Sequence, residues 1–290
     1  MNIEMALITL LVGLAQGMLF FVIAAGLSWV FSICNILNLS HGSMAMIGAF
    51  LCWTIISVAH SFWAGLIVSA LGCACIGIFI EVILLRPIYR RDHIYQFILT
   101  FALIYIIQDV IKMIYGAEQT MIMKPSFLMG SVDLGGVMFP TYYFFVIGVG
   151  LLIFVLIHWF VSRTKWGRVI RALKVDRDMT SAFGVDVKLV LTGVFAFSCF
   201  LAALGAALIS PLMAGHIGMD MFFLMIAFIV IIIGGIGSIS GCLVGSLVYG
   251  VVNSFGIWFF GHWSIAIPYV LLVIVLMLRP CGLMGDPITE

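Results

Sequence analysis

Phe222-Phe223-Leu224-Met225-Ile226-Ala227-Phe228-Ile229-Val230-Ile231-Ile232-Ile233 is apolar at every position. A barrel strand alternates lipid-facing and lumen-facing residues, so this run reads as a helix that satisfies its own backbone groups. The rest of the chain agrees. Hydrophobic residues make up 64% of 290 residues and charged residues only 9%, whereas a soluble domain carries about 25% charged residues. Such a chain cannot cover a water-facing surface; its solvent is lipid.

Apolar runs long enough to cross about 30 Å of hydrocarbon are expected as helices at roughly 8–31, 42–59, 62–85, 94–115, 141–162, 188–210, 220–236, 241–260 and 265–279. The fold class is all-α, a polytopic transmembrane bundle of about eight or nine helices. Residues 32–40 are too polar for lipid and read as a broken or re-entrant segment. Met1-Asn2-Ile3-Glu4 has no positive n-region, so no cleaved signal peptide is expected. No internal repeat is visible by eye.

The charge is lopsided. If nine segments alternate, Arg86, Arg90, Arg91, Arg163, Lys165, Arg168, Arg171, Lys174, Arg177, Lys188 and Arg279 share one side, and Lys112 and Lys124 take the other. Lys and Arg accumulate in cytoplasmic loops, which puts the N-terminus outside and the C-terminus in the cytoplasm.

Three segments are polar or glycine-rich enough to carry function. The first is Asn35 to Ser43, with Asn35, Asn38, Ser40 and His41. Either it lies beside a wet pathway, or Ser40 caps a helix end and His41 is hydrogen-bonded locally. His41 has no evident nucleophile or carboxylate partner, which argues against an intramembrane enzyme. The second holds Gly234, Gly235, Gly237 and Gly241, followed by Gly245 and Gly250. It reads either as a turn with small-residue helix packing, repeated in spacing by Gly13 and Gly17, or as a hinge. It is not a phosphate loop, because no lysine follows the glycines. The third is residues 166–184, where Ala172, Val175, Met179 and Ala182/Phe183 recur at helical spacing and Gly184 sits at the C-cap position. This basic amphipathic helix either rests on anionic lipid or fits a partner's groove.

The remaining charges fit interfaces. Glu81 is positioned to pair with Arg86, Asp109 with Lys112, and Asp220 sits at a helix start. No convincing mid-membrane carboxylate or histidine of a proton-driven pump is expected. Seven cysteines in or beside apolar runs read as packing residues, with no metal site.

In order and spacing, these segments resemble a known family. Gly13-Leu14-Ala15-Gln16-Gly17 leading into Asn35 to Gly42 is similar to its G-x3-G…N-x2-N-x-[AS]-HG stretch. Arg86-Pro87, Gly167-Arg168-x2-Arg171-Ala172, Asp176 and Gly184 are similar to its cytoplasmic signatures. Gly234-Gly235-x-Gly237-Ser238-x2-Gly241 and Arg279-Pro280-x-Gly282-Leu283 are similar to its final third. Over roughly residues 10–285 the chain resembles permease subunits of branched-chain amino acid ABC importers.

The resemblance implies one permease domain over 1–290 with a cytoplasmic coupling loop at 163–188, in a bacterial cytoplasmic (inner) membrane. It implies a second related permease, two cytoplasmic ATPase subunits, an extracytoplasmic substrate-binding protein and surrounding membrane lipid, with no nucleic acid. No cofactor is expected on this chain; ATP is used by the partner subunits. Gly167, Arg168, Arg171, Asp176 and Gly184 become the expected ATPase-coupling residues. A leucine-type substrate is the family default, and related systems import urea, amides or other small carboxylic compounds. The alternative is a stand-alone secondary transporter or channel for a small solute.

Overall fold

The computed structural model describes residues 3–89, 91–133 and 138–285; Arg90 therefore lies outside the described residues. Helix α1 (Ile3–Trp29) continues through a π-helical turn, Val30–Cys34. It is followed by α2 (His41–Ala59), and by α3 (Phe62–Ile80) with a second π-helical turn, Glu81–Leu85. Next come α4 (His93–Tyr115), a small antiparallel hairpin of β1 (Ser131–Asp133) and β2 (Met138–Pro140), and α5 (Thr141–Arg163). Two short helices, α6 (Lys165–Val175) and α7 (Arg177–Ala182), lead into α8 (Val187–Ile209), α9 (Met219–Gly234), α10 (Ile239–Phe260) and α11 (Ile267–Leu278). Each expected apolar run is one of these helices, with ends shifted by a few residues, and the bundle is all-α apart from the hairpin. Among the described residues, seven stretches are long and apolar enough to cross a membrane, one of them the 40-residue stretch Ile239–Leu278 that holds α10 and α11; α9 is apolar but shorter.

One expectation needs correction. Residues 167–184 do not form one helix. The backbone of Asp176 is extended (φ −151°, ψ 113°), and its carboxylate accepts from the Met179 amide at 2.9 Å, capping α7. Aspartate competes well for a helix N-terminus, and here that preference splits the amphipathic stretch in two.

Helix α1 is the hub, packed against α5, α8, α9 and α10, while α2 and α3 wrap α8 from the other side. Its tightest partner is α10, and glycine explains why. A Cβ on Gly17 would lie 2.7 Å from the Ser246 carbonyl oxygen, and one on Gly13 2.8 Å from the Val251 Cα. One on Gly250 would strike the backbone of Gly13 and Gly17. Backbones approach this closely only where side chains are missing, and in lipid such van der Waals packing drives helix association. Gly241 and Gly245 bring α10 equally close to α9 at Gly234. We predict that Gly17→Leu or Gly250→Leu forces α1 and α10 apart and abolishes monodisperse elution of the detergent-solubilised chain. Gly148→Leu, where a Cβ meets nothing within 4 Å, should elute as the parent does.

Candidate functional site

The break expected at 32–40 is a reversal. Helix α1 ends at Cys34, and Asn35 takes a left-handed conformation (φ 53°, ψ 38°) that asparagine tolerates better than most residues. Residues 35–40 then run back along the bundle, with Ile36, Asn38 and Ser40 buried. Helix α2 starts well inside: His41 contacts Ser198, the midpoint of the 23-residue α8. The chain repeats this device in the opposite direction. Past the end of α8, residues 210–218 fold back, and α9 restarts at the same height, with Asp220 beside Gly42 and Ser43. Two helix N-termini therefore meet head to head in the middle of the bundle, in two antiparallel break-and-restart units.

Asp220 joins them. Its buried carboxylate accepts from the Ser43 hydroxyl at 3.2 Å and from the Gln108 amide at 2.9 Å to each oxygen. Helix N-termini favour negative charge, so both α2 and α9 stabilise this group. Placing Asp220 at a membrane interface was therefore wrong; it is a buried carboxylate at mid-bundle. Gly42 is required beside it, because a Cβ there would strike the Asp220 carbonyl.

His41 is not hydrogen-bonded locally either. Its Nε2 donates to the Ile23 carbonyl at 2.9 Å, which leaves Nδ1 to accept from the Ser198 hydroxyl at 3.3 Å. The ring thus ties α1, α2 and α8, and Gly26 makes room for it. Ser40 caps α2 without a side-chain bond, its amide and hydroxyl both donating to Asn38 Oδ1 (3.1 and 2.7 Å). Asn38 Nδ2, buried, has no hydrogen-bond partner. The sequence reading missed Gln108 and Ser198. Ser198 stands in the apolar middle of α8, which is the signal that could have found it, whereas Gln108 sits next to Asp109 and was masked by it.

The basic end of the bundle holds the other candidates. Glu81, buried in its π-helical turn, pairs with Arg86 at 3.0 Å and accepts from the Tyr89 and Thr192 hydroxyls at 2.9 and 2.7 Å. In the 163–188 loop, the Thr164 hydroxyl accepts from the Gly167 amide at 3.0 Å. A side chain on Gly167 would strike the carbonyls of Phe160 and Val161, and Arg171 donates to that same Val161 carbonyl. Arg168 and Asp176 border a cavity of about 430 Å³ that also holds Ala172, Val175, Met179 and Phe183. Gly184 follows α7 with φ 83°. Arg177 reaches across to donate to the Ile33 carbonyl at 2.6 Å, two residues before the Asn35 reversal.

The glycine loop lies beside this. Gly235 and Gly237 have φ of 106° and 81°, conformations that other residues rarely adopt. Gly241 donates to Ser238 at 3.0 Å to start α10, and a Cβ on Gly237 would sit 2.9 Å from Ser32 Oγ. The C-terminal tail closes over the loop: the amides of Leu283 and Met284 donate to the carbonyls of Ile233 and Gly234 at 2.8 and 2.9 Å.

With reversed helices, a polar junction and a basic, apolar-faced loop in place, comparison with known proteins decides the family. The family model described as branched-chain amino acid transport system / permease component matches residues 9–276. The chain belongs to this permease family. It is 28% identical over 293 residues to the high-affinity branched-chain amino acid transport system permease protein BraD of Pseudomonas aeruginosa, covering 96% of this chain and 95% of the relative. Identity to the permease protein LivH of Escherichia coli K12 is 24% over 295 residues, with the same coverage. The fructose import permease protein FrcC of Rhizobium meliloti is 31% identical over 137 residues, 43% of this chain and 38% of the relative. No solved structure matches. The permease is a multi-pass protein of the inner membrane.

We predict that Asp220→Leu, which strands the Ser43 hydroxyl and the Gln108 amide without their acceptor, lowers stability by about 3 kcal/mol. Asp220→Asn, which keeps an acceptor, should cost about half of that. Thermal unfolding of the purified chain in detergent checks both.

Proposed function

We propose that this chain is the membrane-spanning permease subunit of an ATP-driven importer for branched-chain or similar small amino acids, forming half of the translocation pathway. Its N-terminus lies outside and its C-terminus in the cytoplasm. A second related permease encloses the path, two cytoplasmic ATPase subunits use ATP, and an extracytoplasmic binding protein delivers the substrate. Family membership supports the transport role, and the cations that follow α3, α5 and α11 support the orientation.

The observation that carries the coupling role is the 163–188 loop. Val175 and Phe183 are 87% and 83% exposed beside Met179, on a loop rich in arginine. Large apolar side chains grouped on a polar surface mark a protein contact. An ATPase seated there moves α6 and α7; Arg177 passes that motion to Ile33, and the Asn35 reversal passes it to the start of α2. The polar junction at Asp220 is where the two restarted helices part. Asn35, Asn38, Ser40 and His41 then hold the moving reversal, Gly234, Gly235, Gly237 and Gly241 form the packed pivot beside it, and Gly167, Arg168, Arg171, Asp176 and Gly184 shape the docking loop.

Two variants separate docking from transmission. Phe183→Asp, placing a charge in the apolar contact, should cut ATPase co-purification at least about tenfold while membrane insertion is unchanged. Arg177→Ala should keep the ATPase bound but lower substrate-stimulated ATP hydrolysis and uptake several-fold. Normal co-purification with Phe183→Asp refutes the docking surface. Uptake by the purified chain alone in liposomes would favour a stand-alone transporter instead.

A further inference from the structure

A second cavity, of about 770 Å³, opens on the side of the bundle between α1, α3, α5, α6 and α8. Its walls include Trp29, Trp159, Trp166, Ile170, Phe197 and Phe200, and it takes no part in the junction or the docking loop surface described above. Phe197 and Phe200 stack nearly parallel (8°, centroids 6.1 Å apart), giving one flat wall, and Trp29 leans on Phe197 at 4.9 Å. Leu156, Trp159, Trp166 and Leu189 on its rim are all exposed, so no described element covers it. Gly193 deepens it: a Cβ there would meet nothing within 4 Å.

The lining carries no charged side chain, but cations stand next in sequence to it at one end. Its loop end is bounded by Trp166 and Leu189, whose chain neighbours Lys165 and Lys188 are exposed and carry positive charge. Thr192, also in the lining, accepts from Arg86 at 2.5 Å and donates to Glu81 at 2.7 Å, so that paired corner is neutral and the charge beside the groove comes from the two lysines. Away from that end the walls are aromatic and aliphatic. An apolar trough with cations at one end matches a phospholipid, whose acyl chain needs the trough and whose phosphate needs the cations. Tryptophan suits the boundary between the two, being apolar in body and polar at its N–H. A helix of a second permease would fill the trough but leave both lysines without an anion.

We propose that this groove binds one anionic phospholipid, its acyl chain against the Phe197–Phe200 wall and its phosphate between Lys165 and Lys188. Because Trp166 and Ile170 belong to α6, the bound lipid braces the helix that begins the 163–188 loop. The site itself does not depend on the transport reading.

The test uses the full chain reconstituted in phosphatidylcholine vesicles, with phosphatidylglycerol or phosphatidylcholine brominated on the acyl chain as quencher of tryptophan fluorescence. Four of the seven tryptophans lie outside the groove and supply a background common to both lipids. Two lysines near the headgroup favour the anionic lipid by roughly thirtyfold, so brominated phosphatidylglycerol should show saturable quenching at about that much lower mole fraction. Lys165→Gln with Lys188→Gln should merge the two curves, and Gly193→Phe, which plugs the trough, should remove the saturable component for both lipids. Coincident curves in the unmodified chain overturn the proposal. So does cross-linking of a Gly193→Cys chain to a second permease in the assembled complex, which would show protein in the groove.

Discussion

Hydrocarbon offers no water to an unpaired backbone group, and this bundle twice interrupts its helices in the middle. Both interruptions survive because they are buried against protein and because their open N-termini converge on one carboxylate. Asp220 receives only neutral donors from side chains, Ser43 and Gln108, and no ion pair to it is formed among the described residues. The dipoles of α2 and α9 supply the positive field that a lysine or arginine would otherwise provide. The reversal at Asn35 and the return at 210–218 thus share one anchor, beyond the ties each has of its own, such as the paired amides and carbonyls of Thr120 and Gly215.

That shared anchor gives the fold its symmetry of action. One unit runs toward the basic end, turns back and restarts away from it; the other runs away from the basic end, turns back and restarts toward it. Inverted units meeting near the bilayer midplane are a recurrent way to build a two-sided path. Here the links between them and the basic end are few and specific: His41 to Ile23 and Ser198, Arg177 to Ile33, and the glycine loop against Ser32. Around these links α1 and α10 meet backbone to backbone at Gly13, Gly17 and Gly250, flanked by the Phe20–Tyr249 ring contact and the Ser254 hydroxyl donating to the Thr9 carbonyl at 2.8 Å, and so resist deformation.

Much of this was legible in the residues. Unbroken apolar runs located the helices, the polar content of 32–40 located the first reversal, and the lysine and arginine pattern marked one end. Glu81 and Arg86 were readable as a pair because they are five apart, a little over one helical turn. What escaped was long-range. Asp220 finds Gln108 across 112 residues and Ser43 across 177, and nothing local distinguishes a carboxylate at an interface from one returned to the middle by the segment before it. The second reversal carries no polar cluster like the first, so 210–218 read as an ordinary connection. Asp176, by contrast, carried a readable capping preference, but the apolar periodicity across it masked the break.

The tail that clamps the glycine loop has a consequence for how the chain is made. Leu283 and Met284 leave the ribosome roughly fifty residues after Gly234 and Gly235, a delay of several seconds at ordinary synthesis rates. During that interval the loop between α9 and α10 has its glycines in place but not the strand-like contact that fixes them. The loop therefore cannot reach its final conformation as the helices enter the bilayer one by one. It settles only when its closing segment arrives, and a nascent chain arrested before residue 283 should remain open to proteases at that loop.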